Sequence, residues 1–149
     1  MIPIEIKVFD FFDDQITAAI DGDPLFGVQL HDTVYQTIKR NGSRVTDRVI
    51  RISEAESEMV PCGLDWEEKD AHLILVLAAR IQGSDKTERQ EALTDVVNLF
   101  RVVADLFDND RTLGDRVHDL QADKASRGYD VFDGDPYAVV NIPLLINPW

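Results

Sequence analysis

The sequence predicts a single domain that contains both helices and strands. Its 149 residues, 44% of them hydrophobic, match the usual size of one domain and suffice to bury a core. Apolar residues recur at the spacing of a helix in segments 6–20 and 86–107. They alternate or run together, as strands do, in segments 44–53, 71–82 and 136–146.

The first helix is predicted over residues 6–20. Val8, Phe12, Ile16 and Ala19 recur at helical intervals, and three aspartates of the segment fall on the opposite side. One apolar side and one acidic side are typical of a helix that packs on a core.

Two further segments give mixed signals. In 25–42, Leu30, Val34 and Ile38 favour a short helical stripe, but a glycine near the start weakens it, so this segment is ambiguous. Segment 111–132 fits either a short helix or an irregular strand.

The strands at 44–53 and 71–82 enclose a polar segment. The first alternates and is rich in β-branched residues. The second contains the unbroken apolar run 73–79, which predicts a strand buried on both faces. The residues between them, 54–69, are predicted to form a polar loop.

The polar loop is the candidate interaction site. It mixes glutamates with Met59 and Trp66, which is common in loops that bind a partner. A mobile hairpin tip is the alternative. The candidate interface residues are Glu54, Glu56, Glu58, Met59, Trp66, Glu67 and Glu68.

The longest helix is predicted over residues 86–107. Asp85 and Glu88 have the spacing of a capping box at its start. Its apolar face predicts the main core element, with Phe100 as the central buried aromatic. The predicted face consists of Leu93, Val96, Val97, Phe100, Val103, Ala104 and Phe107.

The chain closes with a predicted strand, 136–146. Ala138, Val140 and Ile142 begin one side of the alternation, which Leu144 and Ile146 continue. Pro143 lies on the other side, and because proline has no N–H to donate, this strand is expected at a sheet edge or with a bulge.

Composition argues against several function classes. The chain has 15 Lys and Arg against 28 Asp and Glu, a net charge of -13, so binding of nucleic acid or of an anionic membrane is not expected. The single cysteine, Cys62, allows no intrachain disulfide, and no secretion signal begins the chain, which predicts a reducing cytosol. No apolar run approaches the roughly 20 residues of a membrane span.

The sequence contains no motif for catalysis, and no metal or cofactor is expected. His31, His72 and His118 form no motif, and adjacent acids such as those at 13–14 and 67–68 are most often solvated. The acidic stretch 108–115 lacks the glycine and glutamate positions of a calcium loop. It predicts a structural turn.

The stretch "ADLFDNDRTLGDRV" resembles a segment of the tail terminator (tail completion) proteins of long-tailed bacteriophages and of related minor tail proteins. These often show an acidic residue, then Thr-Leu-Gly-Gly, then an apolar residue, and the terminal "YAVVNIPLLI" is similar to their closing strand. Asp115 stands where the second glycine is usual. The matching residues are Leu106, Asp110, Thr112, Leu113, Gly114 and Val117.

The resemblance implies an α+β fold, a mostly antiparallel sheet flanked by helices, with Asp110, Thr112, Leu113 and Gly114 in a structural turn. It implies a homo-oligomeric, hexameric ring without enzymatic activity. This ring would cap the tail tube at the tail-head junction of a virion assembled in the host cytoplasm. Its partners would be the tail tube protein and the head-tail connector proteins. A head-side neck protein, or a small soluble acidic enzyme or ligand-binding domain, remains as an alternative.

Overall fold

The computed structural model describes residues 2–18, 27–30, 35–36, 48–132 and 134–148. These residues form an α+β structure in which two helices accompany a mixed, mostly antiparallel sheet, so the expected class is confirmed. The helices are α1 (Ile4–Ala18) and α2 (Lys86–Asn109). The strands are β1 (Gly27–Leu30), β2 (Tyr35–Gln36), β3 (Arg48–Ile52), β4 (Glu56–Cys62), β5 (Asp65–Arg80), β6 (Asp119–Ala122), β7 (Ser126–Phe132) and β8 (Asp135–Asn147).

Two long hairpins make up most of the sheet. β3 and β4 follow one side of β5, and β6 and β7 follow one side of β8, all antiparallel. β5 and β8 pair with each other in the middle, from Ala71 opposite Ile146 to Arg80 opposite Tyr137. β1 joins β3 in parallel, and β2 pairs with β1.

Both helices pack on one face of this sheet and enclose the main core. α1 lies against β1 and β3, and α2 lies against β5 and β8. Among the described residues, the opposite face carries a small cluster of Ala78, Tyr137 and Val139. Phe132 packs against it, with the Arg51 guanidinium 3.8 Å from the centre of the Phe132 ring. Neither described helix is long and apolar enough to cross a membrane.

Helix α1 confirms the first predicted helix, although it begins at Ile4. Val8 and Phe12 are buried as expected, and Asp10 faces solvent. The predicted last residues, 19–20, lie outside the described residues. The ring of Phe12 meets that of Phe107 edge to face, with centroids 5.9 Å apart, which joins α1 to the end of α2.

Helix α2 confirms the longest predicted helix but corrects its inner face. The Asp85 side chain accepts a hydrogen bond from the Glu88 N–H at 2.9 Å, as the capping spacing predicted. Phe100, predicted at the centre of the buried face, is only partly buried. The neighbouring Leu99 takes the position that faces the sheet. The buried residues of α2 are Ala92, Val96, Leu99, Val103 and Phe107.

The prediction of a strand buried on both faces at 71–82 is confirmed only at residues 77–79, which are all buried, and is wrong before them. β5 begins earlier, at Asp65, and its middle part alternates: Leu73 and Leu75 are buried, whereas His72 and Ile74 are exposed. The two described helices cover one face of the sheet, so the side chains between the buried ones in this part of β5 face the other way.

Pro143 lies in an interior strand, which corrects the expectation of an edge. Opposite it, Ile74 directs both backbone groups to Ser53, donating to its Oγ at 2.9 Å and accepting from its N–H at 3.2 Å. The backbone of Pro143 therefore faces the other side, where its carbonyl accepts from the N–H of Asp123 at 2.9 Å. The strand on that side is interrupted between β6 and β7, so the absent N–H breaks no ladder bond.

The ambiguous segments contain strands. Leu30, considered for a helical stripe, is buried in β1, while Val34 and Ile38 lie outside the described residues. Within 111–132 the irregular strand is the correct alternative, as β6 and β7. Of the predicted strand 44–53, the structure describes the part that forms β3.

Candidate functional site

The predicted polar loop forms an ordered β-hairpin, which we call the hairpin arm (residues 56–70). β4 pairs with the first part of β5, and β8 joins β5 only from Ala71 onward, so the arm extends beyond the sheet. Gly63, with φ +63°, occupies the first position of its two-residue turn, where type II′ hairpin turns require glycine. The prediction of a loop was therefore wrong, and the alternative of a hairpin is confirmed. The many glutamates obscured the pairing of these two strands.

One side of the arm is apolar. Met59 pairs with Glu68 and Pro61 pairs with Trp66, and residues opposite each other in an antiparallel pair share a face. Met59 is 45% exposed and Trp66 56% exposed, and Leu64 at the tip is fully exposed. We call Met59, Pro61 and Trp66 the apolar arm face. Exposed groups of this kind mark interaction sites more often than isolated apolar side chains do.

The apolar arm face continues the side of the sheet that carries the helices. Glu56 pairs with His72, which points away from the helices because its neighbours Ala71 and Leu73 are buried in the main core. Side chains alternate along a strand, so Met59 and Pro61 point to the helix side.

The arm brings the candidate interface residues together but divides them between its two faces. Glu56, Glu58 and Glu67 lie on the side away from the helices, and Glu54 lies just before β4. Glu68 lies beside Met59 and accepts a hydrogen bond from Ser57 Oγ at 3.2 Å. One face of the arm is therefore acidic, and the other combines apolar side chains with a single glutamate.

The surroundings of Cys62 favour its protonated form. The hydrogen bond and the negative charge of Glu67, with a smaller contribution from Asp65, raise the pKa of this exposed thiol. Because the thiolate is the reactive form, this environment makes Cys62 a poor nucleophile.

An open hollow beside the arm gathers polar groups on the face away from the helices. Glu56, Glu58, Lys69, Asp70 and His72 line it. All five residues are exposed to solvent, and water strongly screens the charges of such side chains. In the part of the chain that the structure describes, no three His, Cys, Asp or Glu side chains are placed to hold a metal ion.

The stretch after α2 is a turn organised by Asp110. Its carboxylate accepts from the N–H and Oγ1 of Thr112, at 3.2 and 2.9 Å, and from the N–H of Gly114 at 2.7 Å. Leu113 is fully buried in the core. Leu113, Gly114 and Asp115 all have positive φ, and position 115 is where a second glycine is usual in the proteins that the stretch resembles.

This turn also connects α1 to α2. The guanidinium of Arg116 forms an ion pair with Asp14 of α1, and it donates to the carbonyl of Leu113 at 3.0 Å. The oxygens of Asp110 are occupied by hydrogen bonds from the chain itself. The four turn residues therefore have local partners that fix the course of the backbone.

Replacing Asp110 with alanine should lower the free energy of unfolding by about 1–2 kcal/mol, as for the loss of a strong cap. Three donors would lose their acceptor. Urea denaturation measures the change. Asp108→Ala is the matched control, because Asp108 is exposed and its loss should stay within about 0.5 kcal/mol. Equal effects of the two changes would contradict the importance of the turn.

Acid should remove the same stabilisation. Partial burial alone would raise the pKa of Asp110, but the hydrogen bonds from Thr112 and Gly114 and the charge of Arg116 outweigh it, so this pKa lies below its ordinary value. Such a carboxylate stabilises the fold above its unfolded pKa, and this contribution is lost as pH falls through the folded pKa. The stability difference between wild type and Asp110→Ala should be full at neutral pH and shrink in acid. A constant difference would argue against this.

Comparison of the chain with protein-family models gave no match, and comparison with curated proteins gave none either.

Proposed function

We propose that this chain is a structural ring protein of a virion, a tail terminator that closes the finished tail tube. In this proposal, six copies form a ring on the end of the tube, stop its growth and present a surface for joining the head. The resemblance of the turn after α2 and of the closing strand to tail terminators led to the proposal. The hairpin arm is the structural observation that supports it most.

The arm suits a protein that works as an assembly. A two-stranded hairpin is only marginally stable by itself in water, and this one exposes Met59, Leu64 and Trp66. A neighbouring subunit that covers these side chains removes apolar surface from water, which is the main driving force of association. The arm is thus best explained as a contact between subunits.

The architecture is compatible with a ring subunit. Both described helices pack on one face of the sheet, and within the described residues no further layer packs on most of the other face. Two layers of this kind give a rigid body from which the arm extends, and the open face is available to other parts of the particle.

The charge suits a ring through which DNA passes. A wall of carboxylates repels phosphate, whereas lysines and arginines would hold it. The chain has a net charge of -13, and Glu56, Glu58 and Glu67 share the acidic face of the arm. We propose that this face lines the channel or the rim that faces the tube.

The first test is the mass of the purified chain in solution at rising concentration, followed by negative-stain imaging. The proposal predicts rings with six times the mass of the chain. Trp66→Ala should weaken their assembly, because it removes the largest apolar side chain of the arm. The matched control is Val102→Ala, which removes an exposed apolar side chain of α2 outside the arm. A purified chain that stays monomeric at every concentration and salt would mean that rings form only on the end of the tube. A ring with a basic channel would contradict the proposal.

A further inference from the structure

A second exposed apolar patch lies on β7, far from the arm. Tyr129 is 58% and Val131 61% exposed. Tyr129 pairs with Ala138, which belongs to the main core, so its side chain points to the helix side of the sheet. The Arg89 guanidinium of α2 lies 6.0 Å from the Tyr129 ring centre on that side. We call Tyr129, Val131 and Arg89 the β7 patch.

The strands that carry the two patches both have an open edge. Among the described strands, β4 pairs only with β5 and β7 pairs only with β8. The N–H of Val131 donates to Oδ1 of Asp130 at 2.7 Å, so it faces away from β8. Backbone groups alternate along a strand, so those of Tyr129 and Arg127 face the same open side. Open edges of this kind are templates for pairing with another chain.

We propose that β4 of one copy pairs with β7 of the next copy, so that the sheets of neighbouring subunits join. The inference rests on the proposed function, because it takes a ring of identical chains as its starting point. It names the surface that receives the arm.

The chemistry of the two patches is complementary. The apolar arm face and the β7 patch both lie on the helix side, so a joined sheet places Met59 and Pro61 of β4 beside Tyr129 and Val131. Trp66 then lies one strand farther on. Glu68 lies on the same side of the arm as Met59, and it meets the positive charge of Arg89. Apolar side chains then pack at the centre of the contact, with an opposite charge pair beside them.

One chain cannot make this contact with itself. The two patches lie level with distant positions of β5. Met59 pairs directly with Glu68 of β5. Tyr129 lies level with Ala79 of β5, because both pair with Ala138 of β8. These positions of β5 lie about 35 Å apart at roughly 3.3 Å per residue. Two different patches that bind head to tail give a closed ring when the rotation from one subunit to the next, repeated, completes a full turn.

A charge exchange tests the pairing of Glu68 with Arg89. Glu68→Arg and Arg89→Glu should each weaken assembly several-fold, and the double variant should restore it, because the attraction returns with its direction reversed. Glu91→Arg and Arg101→Glu are matched controls, since both are exposed positions of α2 outside the two patches. A double variant no better than the worse single variant would contradict the contact.

Cysteine cross-linking tests the contact independently of its strength. In a Cys62→Ser background, Met59→Cys is combined in turn with Arg127→Cys, Tyr129→Cys or Val131→Cys, which covers the alternative registers. A disulfide needs Cα atoms within about 7 Å, so only a neighbouring copy can supply the partner thiol. One combination should give a covalent ladder that ends at the size of the ring.

The outcomes separate this inference from the function it rests on. Rings in the microscope whose subunits cross-link in none of the three combinations would overturn the β4–β7 contact and leave the ring protein standing. Chains that neither assemble nor cross-link, even when tail tubes are present, would overturn both. Cross-linked ladders that close at the ring size support both.

Discussion

Replacing Phe107 with alanine is expected to lower the free energy of unfolding by about 3–5 kcal/mol, the range for emptying a buried aromatic site. Phe107 is buried at the end of α2, and its ring contacts Phe12 of α1. The change would leave a cavity where the two helices meet above the sheet. Because domains are stable by only about 5–15 kcal/mol, the loss is large. Urea denaturation followed by circular dichroism measures it.

Phe100→Ala is the matched control on the same helix. Phe100 is only partly buried, so the same chemical change should cost clearly less than at Phe107. An equal or larger cost at Phe100 would show that α2 is rotated relative to the sheet, or that another subunit covers Phe100. Comparison at low and high protein concentration separates those two explanations, since only the second depends on association.

Removing charge from the arm is expected to strengthen assembly. Glu56 and Glu58 lie on one side of β4, about 7 Å apart at roughly 3.3 Å per residue, and Glu67 lies on the same side. The proposed ring would bring six such arms together, and like charges repel. Salt screens this repulsion within about 8 Å at physiological strength, so wild-type rings should tighten as salt rises. The variant with Glu54, Glu56 and Glu58 changed to Gln should assemble at low salt and respond less to added salt.

Light scattering against salt concentration measures both effects. The matched control changes three exposed acids of α2, with Glu91→Gln, Asp95→Asn and Asp105→Asn, which removes the same charge outside the arm. Salt also screens the attraction of Glu68 to Arg89, but a net charge of -13 per chain outweighs one such pair. Assembly that loosens as salt rises would mean that ion pairs between subunits dominate.

The helices were predictable because their signals are local. In α2, the cap at Asp85 and the helical spacing from Ala92 to Phe107 are properties of one continuous segment. The exact inner face was less predictable, since Leu99 and Phe100 are adjacent and only the position of the sheet decides which one is buried.

The strands were less predictable because their environment depends on distant parts of the chain. Nothing near Ile74 indicates that the helices cover the opposite face of β5. The hairpin arm depends on pairing between β4 and β5, and its glutamates are typical of loops. Pro143 is tolerated in an interior strand only because β6 and β7 are separate opposite it.

The candidate site was partly predictable for the same reason. Met59, Trp66 and the glutamates of the arm were identified from composition. Tyr129 and Val131 were missed, because an alternating strand predicts burial for such residues and only the fold leaves them exposed. Arg89 belongs to the site through its position on α2 beside Tyr129, which no sequence pattern indicates.

The most direct test of the central claim is the length of tail tubes polymerised with and without this chain. Tail tube subunits of the same particle are assembled in both conditions, and tube lengths are measured by negative-stain electron microscopy. A terminator binds the growing end, so we expect tubes that stop growing once the chain is added, each with a ring of density at one end. The Met59→Glu, Trp66→Glu variant should leave growth unchecked, because it puts charge on the apolar arm face. Tubes that grow equally long in the presence of the wild-type chain, with bare ends, would contradict the proposed function.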